Sequence, residues 1–157
     1  MKQVFVDLDG VLADFDGHYE KLFGVRPDQD TYNPPELWDR IREHGNFYRT
    51  EPPMPDLDEL WPGICKLHPY PVVLTGIPAS IPRVREQKIG WVREYLGPTV
   101  PIITCPSRDK YKFGKPGDIL IDDRTKYKHP WIEMGGLFIH HKSTIGTLAQ
   151  LAALLAV

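Results

Sequence analysis

Two aspartates separated by one residue close the first apolar run of the chain: Val4-Phe5-Val6 leads into Asp7-Leu8-Asp9-Gly10. A short β-branched and aromatic run reads as a buried strand, and a glycine behind the second aspartate allows a sharp turn at its carboxyl end. Strand periodicity sends Asp7 and Asp9 to one side and Leu8 to the other. Two carboxylates so close repel, so the pair calls for a cation, a raised pKa on one partner, or both. Taken alone, the same residues are equally compatible with a turn cap in which the carboxylates accept backbone N–H groups.

The theme returns later in the chain. Ile119-Leu120-Ile121 runs into Asp122-Asp123-Arg124, Val72-Val73-Leu74 into Thr75-Gly76, and a polar segment, Ser107-Arg108-Asp109-Lys110, follows the apolar stretch Val100 to Thr104. Four carboxylates around one site suit a hard divalent cation such as Mg2+, while a lysine and a hydroxyl suit phosphate oxygens. Together, Asp7, Asp9, Thr75, Lys110, Asp122 and Asp123 imply phosphoryl chemistry. Lys112 and Lys115 remain alternatives to Lys110, and Arg108 could form a salt bridge instead of meeting substrate. His140-His141 lacks a spaced third ligand and reads as a surface or core pair. Arg83, Arg85 and Lys88 read as a solvated helix face.

The elements that must position these groups alternate between strand and helix. Helical spacing covers Ala13 to Phe23, Asp56 to Leu67 (disturbed by Pro62), Pro82 to Leu96, Lys128 to Met134 and Thr144 to Leu155. Apolar runs at residues 4–6, 71–75, 100–104, 119–121 and 136–140 read as strands. The pattern implies an α/β fold, a three-layer αβα Rossmann-like core with a mainly parallel sheet, whose ligand site lies outside the carboxyl ends of its strands. Between the first two strands, residues 24–55 are aromatic and proline-bounded, with one short helix over Pro35 to Glu43. They are expected to form a small helical cap inserted into a core made of residues 1–23 and 56–157, closing over the mouth to exclude water.

Composition narrows the function classes. The chain has 157 residues, 41% of them hydrophobic and 25% charged, which suits one soluble domain with a sizeable core. A formal net charge of −2 offers no basic field for duplex nucleic acid. No apolar run approaches the roughly 20 residues that span a bilayer, so no membrane role is expected. Two cysteines without metal-type spacing, and no signal-like N-terminal segment, lead to the expectation of a reduced, cytoplasmic protein. Nothing in the sequence sets an oligomeric state.

Asp7-Leu8-Asp9-Gly10-Val11, Thr75, Lys110 and Ile121-Asp122-Asp123 resemble the four ordered motifs of the haloacid-dehalogenase superfamily of phosphohydrolases. More narrowly, the strings DLDGVLADF (7–15), WVREYLGP (91–98), RDK (108–110) and DILIDDR (118–124) resemble the 5′(3′)-deoxyribonucleotidase family. The resemblance implies a Mg2+-dependent phosphomonoesterase acting on a small phosphorylated substrate, a nucleoside monophosphate and more narrowly a deoxyribonucleoside monophosphate. Asp7 is then the nucleophile, Asp9 the acid–base group, and Lys110 the charge-neutralising lysine, with Thr75 and the Gly76 N–H on a nonbridging oxygen. It also implies metal ligands at the Asp7 carboxylate, the Asp9 carbonyl and Asp123, with Asp122 behind them; the residues themselves leave the order of Asp122 and Asp123 open. Phe15 carries over as a base-stacking aromatic, and Trp38, Phe47 and Tyr48 lie in the corresponding cap region. One departure stands out, because the family usually has serine where this chain has Gly76. The alternatives are a phosphatase for a sugar phosphate or another small ester, and, in a different class, a noncatalytic phosphate-binding or receiver-like module.

Overall fold

The computed structural model describes residues 1–27 and 34–157; residues 28–33, part of the expected cap, lie outside the described residues. Side-chain alternation builds the centre of the molecule. In β1 (Val4–Val6), Val4 and Val6 point to one face and Phe5 to the other. The same alternation separates Val73 from Leu74 in β2 (Val72–Gly76), and Ile119 and Ile121 from Leu120 in β4 (Ile119–Asp122). Strands apolar on both faces need cover on both faces.

That cover comes from helices whose apolar stripes match it. On the Val4/Val6 face lie α3 (Leu57–Leu67), α4 (Val84–Tyr95) and α6 (Thr144–Leu155), contributing Leu60, Ile64, Trp91, Val92 and Leu151. The Phe5 face is closed by Trp131 of α5 (Lys128–Glu133), whose ring meets Phe5 edge-on at 5.7 Å. Pro62 does not end α3: a missing donor costs one hydrogen bond, and the buried face of Leu57, Leu60, Trp61 and Ile64 holds the helix through it.

With β3 (Ile102–Cys105) and β5 (Leu137–His140), the five strands run in the order β3-β2-β1-β4-β5 and every pairing is parallel. The chain leaves β1 toward β2 and β3, then returns to the other side for β4 and β5, so the strand order reverses between β1 and β4. Open α/β sheets bind ligands in the crevice at such a reversal. Asp7 follows β1 there, and Asp122 ends β4.

Between α1 (Phe15–Phe23) and α3, α2 (Pro34–His44) and Phe47-Tyr48 build a second apolar cluster with α1. Leu37, Ile41, Phe47 and Tyr48 pack with Phe15 and Tyr19, and with Ile81 and Val84 at the start of α4. The expected polar loop after β3 is instead a 3₁₀ helix, Ser107–Phe113, begun by the Asp109 N–H donating to the Pro106 carbonyl at 2.8 Å.

Candidate active site

Each acidic pair is positioned by the last hydrogen bonds of its strand. The Asp7 N–H donates to the Ile121 carbonyl at 2.9 Å, which aligns the end of β1 with the end of β4. Beyond it the chain turns at Gly10, with φ +83°. A Cβ on Gly10 would lie 2.0 Å from Asp123 Oδ2, so only glycine leaves room for that carboxylate. Carboxylate oxygens of Asp7, Asp122 and Asp123 thereby come within 4.8 Å of one another.

Lys110 neutralises part of this charge. Its Nζ donates to Asp7 Oδ1 at 3.0 Å and to Asp122 Oδ2 at 2.9 Å, while the side chain is buried. Burial by itself lowers a lysine pKa, but the two carboxylates outweigh it and hold the ammonium well above the usual lysine range. Lys112 reaches instead to Asp109 at 3.2 Å on the surface, and Lys115 is exposed. Of the three lysines considered, the 3₁₀ helix delivers Lys110 to the carboxylates.

One cation cannot balance three carboxylates. Burial first, and then the Asp7 charge, push Asp122 up to about 6 against the opposing pull of Lys110 and the Arg124 N–H. Asp123 rises to about 8, through burial and the charges of Asp7 and Asp122. The two also differ in hydrogen bonding. Asp122 spends Oδ2 on Lys110 and Oδ1 on the Arg124 N–H at 3.0 Å, whereas Asp123 Oδ1 is buried with no partner. An orphaned buried carboxylate oxygen beside two other carboxylates suits a hard divalent cation. The Asp123 carbonyl is held from behind by His140 Nε2 at 2.9 Å. His141 instead bonds Thr147 at 2.6 Å, so the histidine pair splits between the two sides of β5 and forms no cluster of its own.

Lys88 reverses the expectation of a solvated face. It is 1% exposed, and its Nζ donates to Asp9 Oδ2, Thr75 Oγ1 and the Gly76 carbonyl, each at 2.8 Å. The neighbouring Arg83 and Arg85 are exposed as expected. Lys88 stands four residues from both Val84 and Val92, inside the buried stripe of α4, and that spacing was the available signal. Preceding it, Gln87 Oε1 accepts from the Tyr48 N–H at 3.0 Å and the Arg49 N–H at 3.3 Å, tying α4 to the aromatic segment.

Glu51 also escaped the sequence reading. It is 1% exposed with Oε2 lacking a partner, as does Asp9 Oδ1. Burial, then the facing Asp9 carboxylate, raise the Glu51 pKa well above the usual carboxylate range. Trp91 Nε1 anchors its backbone carbonyl at 2.8 Å.

These groups open onto a cavity of about 400 Å³. Asp7, Asp9, Thr75, Gly76, Lys110, Asp122 and Asp123 line its floor; Phe15, Trp38 and Tyr48 line its wall. Phe47 lies behind that wall, buried against Phe15, His18 and Tyr48 and absent from the lining. Arg108 and Arg124 stand exposed at the rim, and Arg108 forms no ion pair among the described residues. No helix among the described residues is long and apolar enough to cross a membrane.

No family model matches the chain. A curated protein of Homo sapiens, the mitochondrial 5′(3′)-deoxyribonucleotidase, is 30% identical over 143 residues, covering 78% of this chain and 62% of that protein. The chain thus spans less than two thirds of the relative's length. Among solved structures, a hydrolase from Streptococcus pneumoniae TIGR4 matches with a TM-score of 0.50 at 13% identity, over 100% of both chains, a likeness of fold. The chain is a sequence relative of a 5′(3′)-deoxyribonucleotidase, and the motifs that resemble the haloacid-dehalogenase phosphohydrolases stand on an α/β fold with a wholly parallel sheet.

Proposed function

We propose that this chain is a phosphomonoesterase that hydrolyses a nucleoside monophosphate, a deoxyribonucleoside monophosphate by the reading of its closest motif strings, through an aspartyl-phosphate on Asp7. The observation that carries the proposal is the pairing of each aspartate of the first motif with its own buried lysine. Lys110 holds Asp7 beside Asp122, and Lys88 holds Asp9 beside Thr75. Two carboxylates two residues apart are thus set in different environments, which is how one motif can hold a nucleophile and an acid–base group.

In the first step an Asp7 carboxylate oxygen forms a bond to phosphorus as the ester P–O bond breaks. Asp9 gives its proton to the departing alkoxide oxygen. In the second, Asp9 takes a proton from water, the water oxygen bonds to phosphorus, and the Asp7 O–P bond breaks to release phosphate. Lys110 offsets negative charge on the transferring group, and the Gly76 N–H would hold a nonbridging oxygen. Mg2+ fits the Asp7, Asp122 and Asp123 cluster: Asp7, Asp123 and the Asp9 carbonyl would hold it, with Asp122 engaged by Lys110 and Arg124 behind them. Bound there, the ion supplies charge neutralisation to the phosphoryl group.

Phe15, Trp38 and Tyr48 line the cavity and would be the aromatics that stack on a planar base, a contact tolerant of which base. Phe47 supports that wall from behind. We assign the closing of the cavity to residues 24–55 as a cap on a core of residues 1–23 and 56–157. The two free thiols, Cys65 and Cys105, accord with a reducing cytoplasmic setting.

The test is hydrolysis of an aryl phosphate with Mg2+. Turnover is expected to vanish on chelation and to fall by more than about ten-thousand-fold in Asp7→Asn; full turnover in that variant would exclude the covalent route. Asp9→Asn should lose turnover while retaining Mg2+ binding. A panel of deoxynucleotide, ribonucleotide and sugar monophosphates then reads substrate class, and preference for a sugar phosphate over every nucleotide would overturn the nucleotide assignment.

A further inference from the structure

The strand end that faces the cavity has no side chain at its last position, and a neighbouring segment fills the space. A Cβ on Gly76 would lie 1.8 Å from Ser107 Oγ, 2.8 Å from Ser107 Cβ and 3.1 Å from Ser107 Cα. Atoms that are not bonded do not approach so closely, so the Ser107 hydroxyl occupies the place of any side chain larger than hydrogen at position 76. Pairing between β2 and β3 sets this up, since Gly76 lies opposite Cys105 and the Ile77 N–H donates to the Cys105 carbonyl at 2.8 Å. Residues 105–107 therefore run alongside 75–77 at the mouth of the sheet.

Most other side-chain donors on the cavity floor are committed to protein partners. Lys110 is spent on Asp7 and Asp122, and the Thr75 hydroxyl accepts from Lys88 and points at the Gly76 carbonyl, 3.5 Å away. Ser107 differs. It is half-buried, it lines the same cavity, and its hydroxyl makes no hydrogen bond among the described residues. It stands one turn of 3₁₀ helix from Lys110, on the same rigid piece of chain.

We propose that Ser107 is a substrate-contacting residue whose hydroxyl donates a hydrogen bond to a nonbridging oxygen of the phosphoryl group, from the space that Gly76 leaves open. The contact rests on the phosphohydrolase reading above. It divides the phosphoryl grip between two strands: β2 supplies backbone N–H, and the segment after β3 supplies the side-chain hydroxyl and, through Lys110, the cation. A donor aimed at a transferring group strengthens as charge builds there, so its loss lowers turnover more than it raises KM.

The experiment compares the parent chain with Ser107→Ala, Ser107→Gly and the exchange variant Ser107→Gly/Gly76→Ser. It reads kcat and KM on an aryl phosphate and, separately, the affinity for inorganic phosphate. Ser107→Ala keeps the Cβ and the packing but loses the donor, and is expected to lower kcat/KM by about 10- to 100-fold and weaken phosphate binding by about tenfold. The exchange variant moves the hydroxyl from one strand to the other and is expected to gain at least about fivefold over Ser107→Gly. Ser107→Ala within about twofold of the parent in both readouts would overturn the contact, as would an exchange variant no better than Ser107→Gly. If the parent hydrolyses no aryl phosphate, or its turnover survives Asp7→Asn, the phosphohydrolase reading falls instead, and the phosphate affinities still decide whether Ser107 is a donor.

Discussion

One ammonium serving three oxygens makes Lys88 the most constrained side chain of the site. Replacing it with methionine keeps length and apolar packing but strands Asp9 Oδ2, Thr75 Oγ1 and the Gly76 carbonyl, and leaves Asp9 facing Glu51 with no cation between them. Breaking a buried pair by removing one partner costs more than the pair contributes when intact. With Asp9 partly open to solvent, Lys88→Met is expected to cost about 2 to 4 kcal/mol in a urea titration and about 100-fold in kcat. A variant of unchanged stability and turnover would return Lys88 to a passive role. The residue scale is also where the sequence was least legible. Asp7, Asp9, Asp122 and Asp123 announce themselves because acids rarely follow apolar strands without purpose, but Lys88 and Glu51 sit among other charges. Arg83 and Arg85 beside Lys88 gave the look of a wet face, although residues 84, 88 and 92 share the buried stripe of α4, Arg85 stands at its exposed edge and Arg83 lies outside the helix at its N-cap. Glu51 lies between threonine and proline with no pattern at all, and only the approach of α4 and the β1 turn in three dimensions buries it.

At the scale of elements, strands and helices were legible because period-two and period-3.6 burial leave different marks on a chain. The apolar runs became β1 to β5 within a residue or two, and the helices likewise. The 3₁₀ helix after β3 was not, since seven residues with four charges carry no apolar stripe and their order comes from Lys110 being drawn inward by Asp7 and Asp122. The β1 turn shows how tightly an element can be coupled to chemistry. Gly10→Ala must place a Cβ 2.0 Å from Asp123 Oδ2 at a φ of +83°. Left-handed backbone costs a residue with a Cβ about 1 to 2 kcal/mol, and the carboxylate must also move. The expected outcome is a modest loss of stability with a disproportionate loss of Mg2+ affinity, measured by thermal unfolding and by calorimetric titration of the same samples. Equal Mg2+ affinity in Gly10→Ala and the parent would remove Asp123 from the ligand set.

For the whole molecule, the acidic cluster sets a balance between folding, protons and metal. Burial and the Asp7 charge push Asp122 up to about 6 and Asp123 up to about 8, against an ordinary value of 3.8 for each. The folded state then keeps protons that the unfolded chain has already released, so stability is greatest below the unfolded value and falls as pH rises through the folded ones. Mg2+ held there as proposed would compete with those protons and bind only the folded arrangement, so it is expected to restore more stability at pH 8.5 than at pH 6. Saturation at about a hundred times Kd adds about 2.7 kcal/mol. Asp123→Asn separates the two effects. It removes one of three repelling charges while nearly keeping shape, so the metal-free variant is expected to melt at a higher temperature than the parent at pH 8.5 and to lose most of the downward slope of stability with pH. It should also lose the Mg2+-induced rise in melting temperature. Thermal unfolding of both chains at the two pH values, with and without Mg2+, reads all four quantities. A variant that melts lower than the parent without metal would mean that Asp123 is held by contacts and not strained by charge, and a variant still stabilised by Mg2+ would move the ion to Asp7 and Asp122 alone.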